Sequence, residues 1–235
     1  MTDVASAIER LAGLNAGTEI WWDSSPLIYE GWRAETLAGP DGTTAEEIDR
    51  IWDPAAAAGL LRGSTTNPPL AWGAIAHDRA RWDAFARAAA ADAPDAVEHL
   101  WRVYGEVCRA AAARLSPLYE ASGGRYGHVC AQVDPRDLTD MEAMLAQARR
   151  LHSLAPNLMI KMPATREGIE GLRTLSAEGI ATTATLCFSV SQAVAVAEAA
   201  RAGYREARAA GRSLAGVRCT AALMLGRMED VPRFR

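Results

Sequence analysis

Lys161 is the only lysine in a chain where lysine and arginine together number 25. A guanidinium stays protonated at any working pH. An amine withdrawn from water can shed its proton and attack a carbonyl carbon, so a position that keeps lysine against this bias is a candidate Schiff-base nucleophile. A chance leftover or a structural ion pair is the competing reading of the count alone. Other polar residues fall where strand candidates end, namely Asp23, Asn67, Gln132, Thr185 and Arg227. A carboxylate, two carboxamides, a hydroxyl and a guanidinium can move protons, orient a hydroxylated ligand and face an anion. Asp23 before Ser24-Ser25-Pro26 also reads as turn chemistry, while Pro68 and Pro69 would hold the Asn67 carboxamide in one direction.

The elements that must position these residues alternate along the chain. Leu158-Met-Ile-Lys161-Met-Pro163 reads as a short apolar strand stopped by proline, with Thr165 placed to cap a following helix. Before it come strand candidates at Thr18–Trp22, around Leu61, and from Gly127 to Val133. After it come strands through Thr182–Thr185 and Gly216–Leu223, separated by an alanine-rich helix from Ser191 to Ala210. The stretch from Tyr29 to Pro54 reads as amphipathic and loop-rich, with a capping box in Thr44 and the glutamates after it. From Trp72 to Leu118 the pattern is helical, and Trp82, Phe85, Leu100, Trp101 and Tyr104 fall at core spacing. Six strands separated by helices, with polar residues at their C-terminal ends, predict an α/β fold of the (β/α)8 barrel type. About six βα units are present, with a helical insertion between strands 2 and 3. No glycine-rich phosphate loop of the open doubly wound kind is found in the sequence.

Composition narrows the function classes. A chain of 235 residues, 49% hydrophobic and 23% charged, can bury one substantial core, so a single domain over 1–235 is expected. A net charge of -4 without a basic stripe argues against nucleic acid as the main partner. No stretch has the length and hydropathy of a membrane span, and the N-terminus reads as an amphipathic helix rather than a signal peptide, so the expected location is cytoplasmic. Cys108, Cys130, Cys187 and Cys219 sit singly and read as buried reduced thiols, and the histidines are dispersed, so no metal is expected.

Taken together, Thr65-Thr66-Asn67-Pro68, Gln132-Val-Asp134-Pro135-Arg136, Ile160-Lys161-Met-Pro163-Ala164-Thr165-x-Glu167-Gly168-Ile169, Thr185-Leu186-x-Phe188-Ser189-x-x-Gln192 and Gly226-Arg227 resemble the transaldolase family. The resemblance implies a (β/α)8 barrel acting on sugar phosphates, as in the pentose phosphate pathway. A lysine Schiff base would carry a dihydroxyacetone unit from a ketose phosphate to an aldose phosphate without metal or organic cofactor. By position, Lys161 would form the imine, Asp23 would handle the proton of the C4 hydroxyl, and Thr185 would help place the catalytic water. Asn67 would hold the dihydroxyacetone hydroxyls, Thr65, Thr183 and Ser189 would add substrate contacts, and Arg227 would face the phosphate.

Three positions depart from the family pattern. Gln132 stands where most transaldolases have glutamate; it can orient a water but not exchange a proton, and it resembles the fructose 6-phosphate aldolase subgroup. Thr183 replaces an asparagine and Ala222 a serine. The pattern also has seventh and eighth strands beyond Arg235, so the expectation is a chain truncated at its C-terminus, with closure by a second copy in a homo-oligomer as an alternative. The departures keep two further readings open: simple aldol cleavage, and a catalytically silent transaldolase-like binding module.

Overall fold

The computed structural model describes residues 6–53 and 59–226. The described elements are α1 (Ala7–Gly13), β1 (Ile20–Trp22), α2 (Tyr29–Leu37), α3 (Ala45–Trp52), β2 (Leu61–Ser64), α4 (Pro68–His77), α5 (Arg79–Ala90), α6 (Ala96–Ala121), β3 (His128–Gln132), α7 (Met141–His152), β4 (Leu158–Pro163), α8 (Arg166–Glu178), β5 (Thr182–Cys187), α9 (Val190–Ala209) and β6 (Cys219–Leu223). The strands form one six-stranded sheet in sequence order, β1-β2-β3-β4-β5-β6. The β1–β2, β2–β3, β4–β5 and β5–β6 pairs are parallel. This is the α/β architecture expected from the sequence, with α4, α5 and α6 as the helical insertion between β2 and β3. By its internal packing the chain forms two compact units, 1–129 and 130–235, which divide inside β3.

In the first unit, Trp22 at the end of β1 packs among Tyr29, Trp32 and Trp52, with ring centroids between 5.3 and 6.4 Å from its own. The segment read as loop-rich is mostly two helices, α2 and α3. Two features make α3 a helix: the Thr44–Glu47 capping box, and Ile48 and Ile51, which it buries on one face. The Arg33 guanidinium and the Tyr29 hydroxyl both donate to Asp49, tying α2 to α3. The long helical stretch is three helices, because Asp78 and Asp95 accept backbone N–H groups and start α5 and α6 anew. Trp82 and Tyr104 are buried as expected, but Leu100 is 60% exposed: helical spacing alone did not fix which face α6 turns inward.

In the second unit, β4 is buried along its whole length. Met162 packs beneath α8, where its terminal methyl carbon approaches the site of a missing Cβ at Gly171. Alternation along the strand then turns Lys161 to the opposite face of the sheet. Thr165 starts α8 by accepting the Gly168 N–H at 3.1 Å, and Gly179, with φ of +84°, ends it in a left-handed turn. Helices α8 and α9 approach closely at Gly203, where a Cβ would sit 2.4 Å from the Arg173 carbonyl and 2.6 Å from Ser176 Cβ. Beside β6, the exposed Phe188, Val190, Val194, Leu223 and Leu225 line an apolar groove of about 420 Å³.

All four cysteines are free. Three are buried; Cys219, expected to be buried, is half-buried on β6. Burial pushes the Cys187 and Cys219 thiols upward, away from the reactive thiolate. Among the described residues no helix is long and apolar enough to cross a membrane, and no group of three or more His, Cys, Asp or Glu could hold a metal ion.

Candidate active site

Lys161 is 8% exposed and lies inside β4 rather than in a loop. The parallel register sets Thr183 of β5 directly beside it, and Thr220 of β6 directly beside Thr183. Residues in register on neighbouring strands share a face, so these three side chains form one row across the sheet. The Val133 N–H, one residue past Gln132, donates to the Lys161 carbonyl at 3.3 Å and brings the end of β3 alongside. Thr185 lies two residues beyond Thr183, paired with Pro163, and is 8% exposed. The amine of the chain's single lysine thus stands beside hydroxyls and near a carboxamide, groups that donate and accept hydrogen bonds without competing as nucleophiles.

The loops beyond this row are held by the motif residues themselves. Gly168 has no side chain because a Cβ there would meet the Pro163 carbonyl at 2.1 Å. The Thr165 hydroxyl donates to the Leu138 carbonyl at 2.9 Å, fastening the start of α8 to the loop before α7. Gln192 clamps two loops: its Nε2 donates to the Ala164 carbonyl at 3.0 Å while its Oε1 accepts the Phe188 N–H at 2.9 Å. Ser189 accepts the Gln192 N–H at 3.2 Å and caps α9, so its hydroxyl serves the helix start in this structure. Leu186, between Thr185 and this cap, has φ of +61°, the left-handed region that L side chains seldom adopt, at an irregularity in the β5–β6 register. Backbone of that kind is held in place by its surroundings, here the bonded loops on either side.

Asp134 and Arg136 also prove to be scaffold. Asp134, 5% exposed, accepts the Arg136 N–H at 2.9 Å and pairs with its guanidinium, while its own N–H donates to Gln147 Oε1 at 2.6 Å.

In the first unit, the Thr65 hydroxyl donates to Asp23 Oδ1 at 2.5 Å, and the Thr65 N–H donates to the Trp22 carbonyl at 2.8 Å. Asp23 is exposed, just past β1. Asn67 caps α4, its Oδ1 accepting the Leu70 N–H at 2.9 Å. That leaves its amide N–H groups as the part able to meet a ligand. The structure therefore brings Asp23 to Thr65 in one unit, and Lys161 to Thr183 and Thr185 in the other. Arg227 lies outside the described residues. Thr220 and Gln192 carried no assigned role from sequence. A threonine inside a β-strand reads only as a good strand former; Gln192, at the third position of α9 after a serine cap, at least carried a capping-box signal.

A parallel α/β sheet with a single buried lysine in a central strand, between a threonine-rich strand on one side and a strand ending in a carboxamide on the other, defines a class of protein able to present an amine to a carbonyl ligand. The chain belongs to the transaldolase/fructose-6-phosphate aldolase family, whose model matches residues 40–231. It is 33% identical over 236 residues to "Transaldolase 1" of Streptomyces avermitilis, covering 98% of this chain and 57% of that protein. "Transaldolase 1" of Streptomyces coelicolor is likewise 33% identical, covering 97% of this chain and 55% of that protein. A "Transaldolase" of Thermobifida fusca is 38% identical over 169 residues, 71% of this chain and 46% of that protein. The chain thus spans about half the length of these relatives.

Proposed function

We propose that this protein is a Schiff-base enzyme of the transaldolase type, acting on sugar phosphates. The observation that carries the reading is the lone lysine, buried inside β4 and set in register with Thr183. The Lys161 amine would add to the ketose C2 carbonyl and lose water to give an iminium. The iminium then draws the electrons of the C3–C4 bond as the C4 hydroxyl gives up its proton, releasing an aldose phosphate and leaving an enamine. Addition of the enamine carbon to an acceptor aldehyde, followed by hydrolysis, frees the lysine. Thr185 supports the water steps, and Thr183 a substrate hydroxyl. The roles of Asp23 as proton acceptor, Asn67 and Thr65 as hydroxyl ligands, Ser189 as a further contact and Arg227 as phosphate partner rest on the family resemblance. So do the absence of a metal or organic cofactor, the pentose phosphate setting and the cytoplasmic location.

Gln132 favours a second reading. A carboxamide cannot exchange a proton with the water that hydrolyses or forms the imine, as a carboxylate can. Acceptor-independent aldol cleavage also ends in hydrolysis of the imine, so this reading rests on the resemblance of Gln132 to the fructose 6-phosphate aldolase subgroup, with the glutamine orienting the water and another group carrying the proton. Borohydride trapping with fructose 6-phosphate tests the shared step: an adduct at Lys161, absent in Lys161→Arg, is the expected mass shift. Donor cleavage is then measured with and without an aldose phosphate. Turnover that needs the acceptor supports transfer, and dihydroxyacetone release without it supports the aldolase. No adduct in folded wild-type protein sinks both and leaves the silent binding module.

A further inference from the structure

The row that starts at Lys161 runs through Thr183 and ends on β6. Thr220 stands opposite Thr183 in the β5–β6 register, and its hydroxyl donates to Thr183 Oγ1 at 2.7 Å. The same hydroxyl lies 3.8 Å from the sulfur of Met159, which is fully buried two residues before Lys161. Thr183 is itself 4% exposed, so water has little access to it.

A threonine hydroxyl carries one proton and two lone pairs. When Thr183 accepts the Thr220 proton, its own O–H must turn to a different acceptor. Its β-branched side chain has few rotamers, so the bond also fixes where Thr183 Oγ1 sits. Thr183 is the register neighbour of Lys161, and adjacent strands are about 4.8 Å apart, so that proton is presented beside the lysine. We infer that Thr220 is a positioning residue: acting through Thr183, it makes the Lys161 row select ketones that carry a hydroxyl on the carbon next to the carbonyl. This inference rests on Lys161 being the imine-forming amine. Its physical basis is that a buried donor left without an acceptor is costly, so a ligand lacking the hydroxyl is rejected rather than merely held less well.

The test compares two ketones in one assay. Wild type, Thr220→Val, Thr220→Ser, Thr183→Val and the double valine variant are each incubated with dihydroxyacetone or acetone and trapped with borohydride. The adduct on Lys161 is quantified by peptide mass. Acetone has no hydroxyl, so it reports the reactivity of the lysine and the integrity of the sheet in every variant. The preference for dihydroxyacetone over acetone is expected to fall about 3- to 10-fold in Thr220→Val, the range of one neutral hydrogen bond. It should return in Thr220→Ser, and the double variant should be no worse than Thr183→Val alone, because Thr220 acts only through Thr183. An unchanged preference in Thr220→Val, or losses that multiply in the double variant, overturns the positioning role and leaves the imine chemistry standing. If wild-type Lys161 is trapped by neither ketone, the imine reading falls, and this inference with it.

Discussion

The two groups of candidate residues are built differently. Lys161, Thr183 and Thr185 lie within strands, each no more than 8% exposed, and their spacing is set by backbone register. Asp23, Thr65 and Asn67 lie past strand ends, where Asp23 is exposed and Asn67 is occupied with starting α4. A strand-borne group is placed by main-chain hydrogen bonds that no single side chain can undo. A loop-borne group depends on a few local bonds and shares its atoms with turn and cap duties. Mutations should therefore separate function from folding cleanly in the first group and poorly in the second.

The largest expected effect is at Lys161. Lys161→Met should abolish the borohydride adduct, since it removes the amine and keeps an apolar chain of similar volume within β4. A large loss of stability would show instead that the amine is a structural partner. Next comes Gly168→Ala, which forces a methyl against the Pro163 carbonyl and should cost about 3 kcal/mol in denaturant unfolding. Gly203→Ala pushes on the Arg173 carbonyl and Ser176 and should cost about 2 kcal/mol by the same measurement; because it lies away from the row, trapping of the folded fraction should be unchanged.

Asn67 sharpens the contrast between the groups. Asn67→Asp keeps the oxygen that caps α4 but removes the amide donors, so stability should hold while turnover falls. Asn67→Ala should lose about 1 kcal/mol of stability as well. Equal activity in Asn67→Asp and wild type would confine the residue to capping.

The smallest effect is a pH dependence in the first unit. Hydrogen bonds from Arg33 and Tyr29 lower the Asp49 carboxyl from 3.8 to about 2. A depressed value means that the stabilisation is complete above the ordinary value of 3.8 and is lost as the pH falls towards 2. Since the Asp49 side chain is 40% exposed, solvent weakens the pair, and melting curves of wild type and Asp49→Asn should differ modestly at pH 6 and converge near pH 2.

Much of this organisation was legible in the sequence, for local reasons. The lone lysine stood out against an arginine background, Pro163 and Thr165 marked a strand end and a helix start within five residues of it, and Ser189 with Gln192 spelled a capping box. Strand and helix alternation follows from hydrophobic period and punctuation, which are properties of short windows. What only the tertiary structure decided is the sideways neighbourhood. Thr183 beside Lys161 and Thr220 beside Thr183 are separated by 22 and 37 residues along the chain, and a slip of one position would turn each away from the row. The same holds for Leu100, whose spacing suited the core but which α6 turns outward, and for Gly168, whose need to be glycine appears only once the Pro163 carbonyl lies against it. Sequence determined which groups could do the chemistry, because residue type is written into the chain. Register and packing determined which of them stand together, because side-by-side contact arises only when distant segments pair.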